Sequence, residues 1–390
     1  MGKKVLSAIL IMMLSIALVA CGGDSKETGK DETASKTEET KETPADTTKE
    51  DETTPIGEGV EKSDIKIGVA MPTKDLQRWN QDGANMKAEL EAAGYQVDLQ
   101  YANNEIATQL SQVENMVTGG CDALVIASID GSSLGTVLAK AAEAGIPVIA
   151  YDRLLMESDA VSYYATFDNY MVGTIQGEFI RDNLDLDNTD GPYNIEIFTG
   201  SPDDNNARYF YGGAMDVLKP YIDSGKLVVP SGQKRFEEVA TLNWSTEEAQ
   251  KRMENLITAY YAGGTKLDAV LSSNDSVANG ITNALLGAGY EADDFPILTG
   301  QDCDITSVKN IINGTQSMSI FKDTRTLASQ VVKMVNAIVE GKEVPVNDTE
   351  TYDNGVVVVP TYLCEPVFAD INNYKELLID SGYYTEDQLK

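Results

Sequence analysis

From Ile65 onward the sequence alternates short apolar runs with longer amphipathic segments, and this order allows only a few folds. The apolar runs predict strands that are buried on both faces. The amphipathic segments predict helices, three of which end at glycines typical of helix stops, Gly94, Gly119 and Gly145. Strict alternation predicts parallel sheets covered by helices. The strands are too many for one comfortable sheet, so we predict an α/β fold of two Rossmann-like, doubly wound lobes.

The pattern also predicts where the first helix begins and where the last strand lies. The first amphipathic segment predicts a helix over Asn80–Ala93, which leaves Arg78 and Trp79 in the loop before it. The valine-rich run Val356–Pro360 predicts the last strand of the chain.

Polar side chains follow nearly every predicted strand. In the clearest case the apolar run Ile146–Tyr151 is followed at once by Asp152 and Arg153. Open α/β sheets bind ligands at the carboxyl ends of their strands. An acid beside an arginine offers acceptors and donors to a small polyhydroxylated ligand. A single Asp-Arg pair also fits a surface ion pair or a helix N-cap, so the prediction depends on the recurrence of the pattern.

Helix capping explains some of the recurring residues but not the cations. Asn205, Asp275 and Asp304 fit N-caps, because Asn and Asp favour that position. Arg78, Arg153 and Lys322 do not, because a positive charge is disfavoured at a helix N-terminus.

The two tryptophans of the chain, Trp79 and Trp244, lie in polar surroundings at strand ends. Sugar hydroxyls both donate and accept hydrogen bonds, so they suit interleaved acids, amides and cations. An aromatic ring can cover the apolar C–H face of a sugar ring. We therefore predict a sugar site in which the two tryptophans lie on either side of the ligand.

Composition argues against several other classes of function. The chain has 390 residues, a formal net charge of −32 and no histidine. The acidity argues against nucleic-acid binding. The absence of histidine removes the Ser-His-Asp triad, the Cys-His dyad and His-ligated metal sites. Three cysteines, Cys121, Cys303 and Cys364, are widely spaced, so we predict no disulfide framework and no zinc site.

Residues 1–21 are typical of a targeting segment. Lys3 and Lys4 precede an apolar run, Leu6–Val19, that is too short to span a bilayer comfortably. The run leads into Leu-Val-Ala-Cys-Gly, which resembles the lipobox of bacterial lipoproteins and implies cleavage and lipidation at Cys21. The alternative is an ordinary secretory signal with a chance cysteine. Residues 22–63 are acidic and of low complexity, which predicts a disordered tether.

Taken together, seven motifs resemble type I periplasmic-binding proteins of the monosaccharide class, in the multiple-sugar and xylose-binding branch. The motifs are Arg78-Trp79, Tyr151-Asp152-Arg153, Ser201–Ala207, Val217–Tyr221, Ser273-Asn274-Asp275, Gly300-Gln301-Asp302 and Phe321-Lys322. The resemblance covers the globular body from Ile65 to Lys390. It implies ten sugar contacts: Arg78, Trp79, Asp152, Arg153, Asn205, Asn206, Trp244, Asn274, Asp302 and Lys322. The weaker candidates are Asp75, Asp130, Asp204, Asp275 and Gln301.

The resemblance also implies a three-segment hinge between the lobes. We expect crossings near residues 167–168, 300–302 and 352–355. The N-terminal lobe would then contain residues 64–167 and 302–353, and the C-terminal lobe residues 168–301 and 354–390. We find no counterpart of the calcium loop known in galactose-binding relatives, so we predict no metal and no cofactor.

The function implied is binding without chemistry. A monomer anchored through Cys21 at the extracytoplasmic face of the membrane would capture xylose, glucose, galactose or a related aldose for an ABC permease and its ATPase. A receptor for a chemotaxis or sensor-kinase partner is the alternative that the sequence leaves open. An enzyme using Asp152 and Asp302 as paired carboxylates is opposed by the export signal and the missing histidine and metal motifs. A sugar-responsive transcription regulator would need DNA-binding helices where the lipobox and tether stand.

Overall fold

The structure of the protein is a computed structural model that describes residues 59–390. The predicted signal peptide, Cys21 and the tether up to residue 58 lie outside the described residues. Among residues 59–390, no helix has both the length and the apolarity needed to cross a bilayer.

Strands and helices alternate along most of the described chain. The strands are β1 (Lys66–Met71), β2 (Gln96–Tyr101), β3 (Ala123–Ile126), β4 (Val148–Tyr151), β5 (Tyr163–Phe167), β6 (Tyr193–Phe198), β7 (Leu227–Val228), β8 (Ala269–Ser272), β9 (Ile297–Leu298), β10 (Met318–Phe321), β11 (Thr361–Cys364) and β12 (Val367–Asp370). The helices are α1 (Gln77–Ala92), α2 (Ile106–Thr118), α3 (Gly135–Glu143), α4 (Asn169–Asn183), α5 (Asn206–Asp223), α6 (Phe236–Val239), α7 (Thr246–Leu256), α8 (Asp275–Gly287), α9 (Ile305–Asn313) and α10 (Thr324–Val339). Short 3-10 or π segments lie at Lys62–Asp64, Leu242–Trp244, Ile257–Tyr261, Ala292–Asp294, Lys375–Asp380 and Glu386–Leu389.

The first lobe is built on a parallel sheet of six strands in the order β11-β5-β4-β3-β1-β2. Helices α1 and α10 pack on one face of this sheet, and α2 and α3 contribute to the core on the other. Strands β3 and β4 are buried along their whole length, which explains their unbroken apolar sequences.

The second lobe contains a parallel sheet of four strands in the order β7-β6-β8-β9. Strand β10 continues it through a bridge between Gln301 and Ile320, and pairs antiparallel with β12. Helices α4 and α5 approach so closely that a Cβ on Gly173 would lie 1.9 Å from the carbonyl oxygen of Phe210. A glycine is needed at this crossing.

Local element boundaries differ from the sequence prediction in three places. Helix α1 begins at Gln77 instead of Asn80. Among the described residues no side chain caps the start of this helix, so the sequence carries no signal for where the helix begins. The last strand of the first sheet is β11, not Val356–Pro360, because Val356 and Val358 are exposed and Pro360 has no N–H to donate. After α2 the left-handed glycine is Gly120, not Gly119.

Strand pairing also moves two of the expected crossings between lobes. Met318 and Ile320 of β10 are fully buried in the second core, whereas α10 packs in the first core. The chain therefore crosses between β10 and α10, not near residues 300–302. It crosses again between β11 and β12, not near residues 352–355. Residues 302–321 thus lie with the second lobe and residues 354–364 with the first. The causes are tertiary contacts that no local pattern in the sequence records.

Candidate binding site

A cavity lies between the lobes, where strands of both sheets end. The lining includes these residues singled out from the sequence: Arg78, Trp79, Asp152, Arg153, Asp204, Asn206, Trp244, Asn274, Gln301, Asp302 and Lys322. The residues of the lining that sequence reasoning missed as contacts are Leu76, Phe210, Ser276 and Asp304.

Four sequence candidates do not line this cavity. Asn205 is half-buried at the start of α5, and Asp75 is exposed. Asp130 is half-buried and accepts a hydrogen bond from the backbone N–H of Ser132 at 2.8 Å, within its own turn. Asp275 is fully buried and accepts hydrogen bonds from Ser319 and Gln316 at 2.9 and 3.0 Å. Its contacts are those of a residue that supports the loops behind the cavity.

Arg78 links the two walls of the cavity from the first turn of α1. Its Nη2 lies 2.8 Å from Oδ1 of Asp152, which follows β4 in the first lobe. Its Nη1 lies 2.8 Å from Oδ1 of Asp302, which the second lobe supplies. Its Nε donates to Asp82, one helical turn further along α1. The guanidinium is thus held by three carboxylates, a geometry that a planar fork of donors allows.

Asp82 was missed in the sequence, although the Arg-x-x-x-Asp spacing on a helix was a usable signal. It is fully buried and also accepts a hydrogen bond from the hydroxyl of Tyr151. Burial is the main reason that the pKa of Asp82 is raised to about 6, and Arg78 opposes the rise. Asp152 behaves differently. Burial disfavours its charged form, but Arg78, Lys322 and Arg153 outweigh burial and lower its pKa.

Two further cations join the lobes. Lys322, which follows β10, places its Nζ 3.2 Å from Oδ1 of Asp302 and 3.8 Å from Oδ1 of Asp152. Arg153 places its Nε 2.9 Å from Oδ2 of Asp204, just before α5. Burial raises the pKa of Asp204, and Arg153 counteracts part of that rise. These pairs are buried, so they define the relative position of the loops more than they add net stability.

Asn206 and Asn274 use some of their hydrogen-bonding groups within the protein. Asn206 donates from Nδ2 to the carbonyl oxygen of Asp152 at 2.5 Å and accepts from Tyr164 at 3.1 Å. Asn274 caps α8 by accepting from the N–H of Val277 at 3.0 Å, which leaves its amide nitrogen for a ligand. Asn274 therefore both caps α8 and lines the cavity.

The backbone is unusual at three positions on the lining. Asp152, Trp244 and Asp302 have φ values of 57°, 55° and 97°, in the left-handed region that residues with a Cβ seldom adopt. Such conformations cost of the order of 1–3 kcal/mol each and cluster at functional sites. All three side chains line the cavity.

The aromatic residues of the lining come from both lobes. Trp79 belongs to the first core, with the Cζ of Arg153 5.0 Å from its ring centroid. Trp244 packs against Gly200, where an added Cβ would lie 1.9 Å from the indole ring. Phe210 lies edge-on to Trp244 with ring centroids 6.2 Å apart. Phe210 follows Asn206 by one helical turn, so the i, i+4 spacing on α5 could have identified it.

Some buried polar atoms of the lining have no hydrogen-bond partner within residues 59–390. These atoms include Nε1 of Trp244, Oε1 of Gln301 and Oδ1 of Asp304. They comprise a donor, an acceptor and a carboxyl oxygen on the second-lobe side. Unsatisfied buried groups of this kind are rare and call for a physical explanation. A polyhydroxylated ligand would satisfy all three.

Comparison with known proteins now identifies the family. The sequence profile of the periplasmic binding protein domain matches residues 67–343. The chain belongs to the periplasmic binding protein family.

Two curated relatives in this family match most of the chain. The chain is 57% identical over 326 residues to the multiple sugar-binding periplasmic receptor ChvE of Rhizobium radiobacter, covering 83% of this chain and 92% of that protein. It is 37% identical over 326 residues to the D-xylose-binding periplasmic protein of Escherichia coli, covering 84% of this chain and 93% of that protein.

Solved structures of solute-binding proteins have the same fold. An ABC transporter solute-binding protein from Clostridium phytofermentans with bound β-D-glucose is 70% identical, with a TM-score of 0.82 over 83% of this chain and 100% of that chain. A carbohydrate transporter solute-binding protein from Chloroflexus aurantiacus in complex with D-glucose is 34% identical, with a TM-score of 0.74 over 83% of this chain and 97% of that chain.

These findings confirm the predicted fold class, a type I periplasmic-binding protein with two α/β lobes. They also confirm the resemblance to the multiple-sugar and xylose-binding branch. Periplasmic binding proteins are receptors, so membership of the family agrees with the expectation that the chain is not an enzyme.

Proposed function

We propose that this protein is an extracytoplasmic receptor that binds an aldose monosaccharide between its lobes and delivers it to an ABC importer. The observation that carries the proposal is the interlobe cavity, in which paired charges meet aromatic rings and unsatisfied polar atoms. The sugar-binding relatives and the glucose-bound structures described above support the class of ligand.

The charge pairing favours a neutral ligand. Arg78 is shared among three carboxylates, and Lys322 and Arg153 also face carboxylates. An anionic ligand would have to displace one of these carboxylates from its cation, whereas a hydroxyl can donate to a carboxylate and accept from a cation without breaking the pair. Hydrogen bonds to charged groups are the stronger kind, about 1.5–3 kcal/mol each.

We assign the sugar contacts to the sequence candidates that line the cavity. Trp79 and Trp244 would pack against the apolar faces of the ring, and the carboxylates, cations and amides would bind its hydroxyls. The assigned contacts are Arg78, Trp79, Asp152, Arg153, Asp204, Asn206, Trp244, Asn274, Gln301, Asp302 and Lys322.

Binding would be coupled to closure of the lobes. The ligand contacts side chains of both lobes, so it stabilises the closed arrangement over an open one. We propose that the hinge consists of the three connections after β5, after β10 and after β11. The closed form would then dock, as a monomer, on an ABC permease with its ATPase.

We also propose that the receptor is lipid-anchored at Cys21, on the evidence of the lipobox-like sequence. The acidic tether would keep the binding domain close to the membrane and raise its concentration near a permease. Mass spectrometry of the N-terminal peptide should detect a diacylglycerol adduct. A Cys21→Ser variant should appear in the medium instead of the membrane fraction, and retention of that variant at the membrane would contradict the anchor.

Calorimetric titration with xylose, glucose, galactose, arabinose and ribose tests the binding function. We expect micromolar or tighter binding of at least one aldose, and its loss in Asp152→Ala. Asp75→Ala, which changes an exposed carboxylate outside the cavity, is the matched control and should bind like the wild type. An absence of heat with every aldose, together with no thermal shift, would contradict the proposal.

A further inference from the structure

Asp304 stands just before α9 and lines the interlobe cavity. Its position fits an N-cap, but within the described chain its side chain accepts no hydrogen bond from the start of the helix. The N–H of Ile305 donates instead to Oε1 of Gln77, on α1 of the first lobe, at 3.2 Å. The other lobe therefore takes over the capping, and the carboxyl of Asp304 is left free of that role.

Asp304 also differs from the other carboxylates of the lining in its charge pairing. Asp152 and Asp302 face Arg78 and Lys322, and Asp204 faces Arg153. Asp304 takes part in no ion pair among residues 59–390, and its Oδ1 is buried without a hydrogen-bond partner there. Asp304 as a whole is half-buried, but a carboxyl oxygen that is buried without a partner is costly, and a protonated carboxyl needs only an acceptor for its hydrogen.

The surroundings of Asp304 disfavour its negative charge. The titratable or charged groups that interact electrostatically with Asp304 are Asp302, Arg78, Asp275, Cys303 and Tyr384. The backbone N–H of Asp304 donates to Oδ2 of Asp275 at 2.8 Å, which brings a second carboxyl close. Burial and then the charge of Asp302 raise the pKa of Asp304 to about 7, and Arg78 opposes them.

We propose that Asp304 is a further sugar-contacting residue that donates a hydrogen bond from its protonated carboxyl to a ligand hydroxyl. This inference rests on the proposed sugar-binding function and extends it to a residue that the sequence interpreted as a cap. The protonated carboxyl of Asp304 gives the second-lobe wall a neutral hydrogen-bond donor beside the charged pair of Asp302 and Lys322. The sugar would supply the acceptor that Asp304 lacks.

The proposal makes binding depend on pH. The protonated receptor offers the donor and the ionised receptor does not, so the apparent affinity is the average of the two forms weighted by their populations. With a pKa of about 7 and an ionised form that binds about tenfold more weakly, the affinity is highest on the acid side and falls about fivefold between pH 6 and pH 8. Binding at pH 8 must then take up protons.

Two variants test the proposed hydrogen bond from Asp304. Their binding is measured by titration calorimetry with the aldose that binds the wild type most tightly. Asp304→Asn keeps an N–H donor that cannot titrate, and Asp304→Ala has none. We expect Asp304→Asn to bind within about threefold of the wild type at pH 6 and equally well at pH 8. We expect Asp304→Ala to bind about tenfold more weakly at pH 6 and to lose the pH dependence. These factors correspond to one hydrogen bond.

Proton uptake gives a readout that a merely structural role would not change. At pH 8 the binding heat of the wild type should differ between phosphate and Tris in proportion to their ionisation enthalpies, and that of Asp304→Asn should not. Melting temperatures without sugar show whether each variant is folded, and if Asp304→Ala is not, Asp304→Asn decides. A pH dependence in Asp304→Asn equal to that of the wild type, or wild-type binding by Asp304→Ala, would overturn this inference alone. A wild type that binds no aldose would overturn the sugar-binding function with it.

Discussion

On the first-lobe wall of the cavity, Arg78 is held by Asp82 from its own helix and by Asp152. On the second-lobe wall, Nε1 of Trp244 and Oε1 of Gln301 have no hydrogen-bond partner in the described part of the chain. Arg78 on the first wall is therefore oriented in part by its own lobe, whereas the second wall keeps polar atoms that a ligand would satisfy. A receptor built in this way can hold a ligand on one wall before the other closes on it.

If the two walls differ in this way, the largest loss of sugar affinity should come from removing Asp152, the carboxylate that orients Arg78 on the first wall. Asp152→Ala leaves Arg78 and Lys322 each without one partner in a buried site. Truncating one member of a buried charge pair costs about 2–5 kcal/mol, so we expect affinity to fall about 100-fold or more. Calorimetry with the preferred aldose measures this.

Asp130→Ala is the matched control for that experiment, because it removes a half-buried aspartate on the same lobe that accepts from its own turn. We expect its affinity to stay within about twofold of the wild type, since surface-type changes have small effects. A loss in Asp130→Ala as large as that in Asp152→Ala would mean that the cavity does not hold the ligand.

On the second wall, the next largest effect should come from Trp244. Trp244→Ala removes a large apolar face and a buried N–H donor. Truncating a buried aromatic anchor commonly costs about 2 kcal/mol or more of binding free energy, so we expect the affinity to fall about 30-fold. Trp244→Phe keeps the ring but not the N–H, and should recover about half of that loss in free energy. Equal binding by both variants would show that the N–H, not the ring, carries the contact.

A further effect concerns the stability of the first wall in the absence of ligand. The pKa of Asp82 is raised to about 6 from an ordinary value near 4, mainly by burial. A raised acid pKa stabilises the folded state below the ordinary value, and that contribution disappears as pH rises through the folded value. We expect the free energy of unfolding of the wild type to fall by up to about 3 kcal/mol between pH 4 and pH 7 through this group.

Urea denaturation at several pH values measures this change, with Asp82→Asn as the comparison. The variant cannot titrate at this position, so the wild-type curve should decline relative to it between pH 4 and pH 7. A constant difference between the two curves over that range would contradict the assignment of the shift to Asp82. Asp204 and Asp304 remain in both proteins, so their titration is common to both curves.

The residues of the cavity show which parts of the binding site can be predicted from the sequence and which cannot. Asp152 and Arg153 directly follow a buried strand, so the strand pattern predicts their location. Asp82 lies inside a helix and acts through Arg78, so no strand end marks it. The capping of α9 depends on Gln77, 228 residues earlier, and a contact at that separation leaves no local trace.

The same reasoning applies to the lobes. The alternation of strands and helices predicts the α/β class, because each element carries its own periodicity. It does not predict which sheet receives a late strand. Val356–Pro360 has the composition of a strand, but the less apolar Thr361–Cys364 pairs with β5. Pairing depends on which sheet edge a strand meets in the folded protein, and composition does not encode this.

The smallest effect is expected at Asn205, and it tests whether resemblance or geometry better identifies the contacts. The motif Ser201–Ala207 implies contacts from both Asn205 and Asn206, but only Asn206 lines the cavity. Asn206 also holds the carbonyl oxygen of Asp152, so Asn206→Ala should weaken binding about tenfold through that lost hydrogen bond. Asn205→Ala should change the Kd by less than about twofold, as surface-type substitutions do. The two residues are neighbours of the same type, so each serves as the control for the other in calorimetry. Equal losses in both variants would mean that the ligand reaches beyond the cavity lining toward the start of α5, and that the two walls are less distinct than their hydrogen bonding indicates.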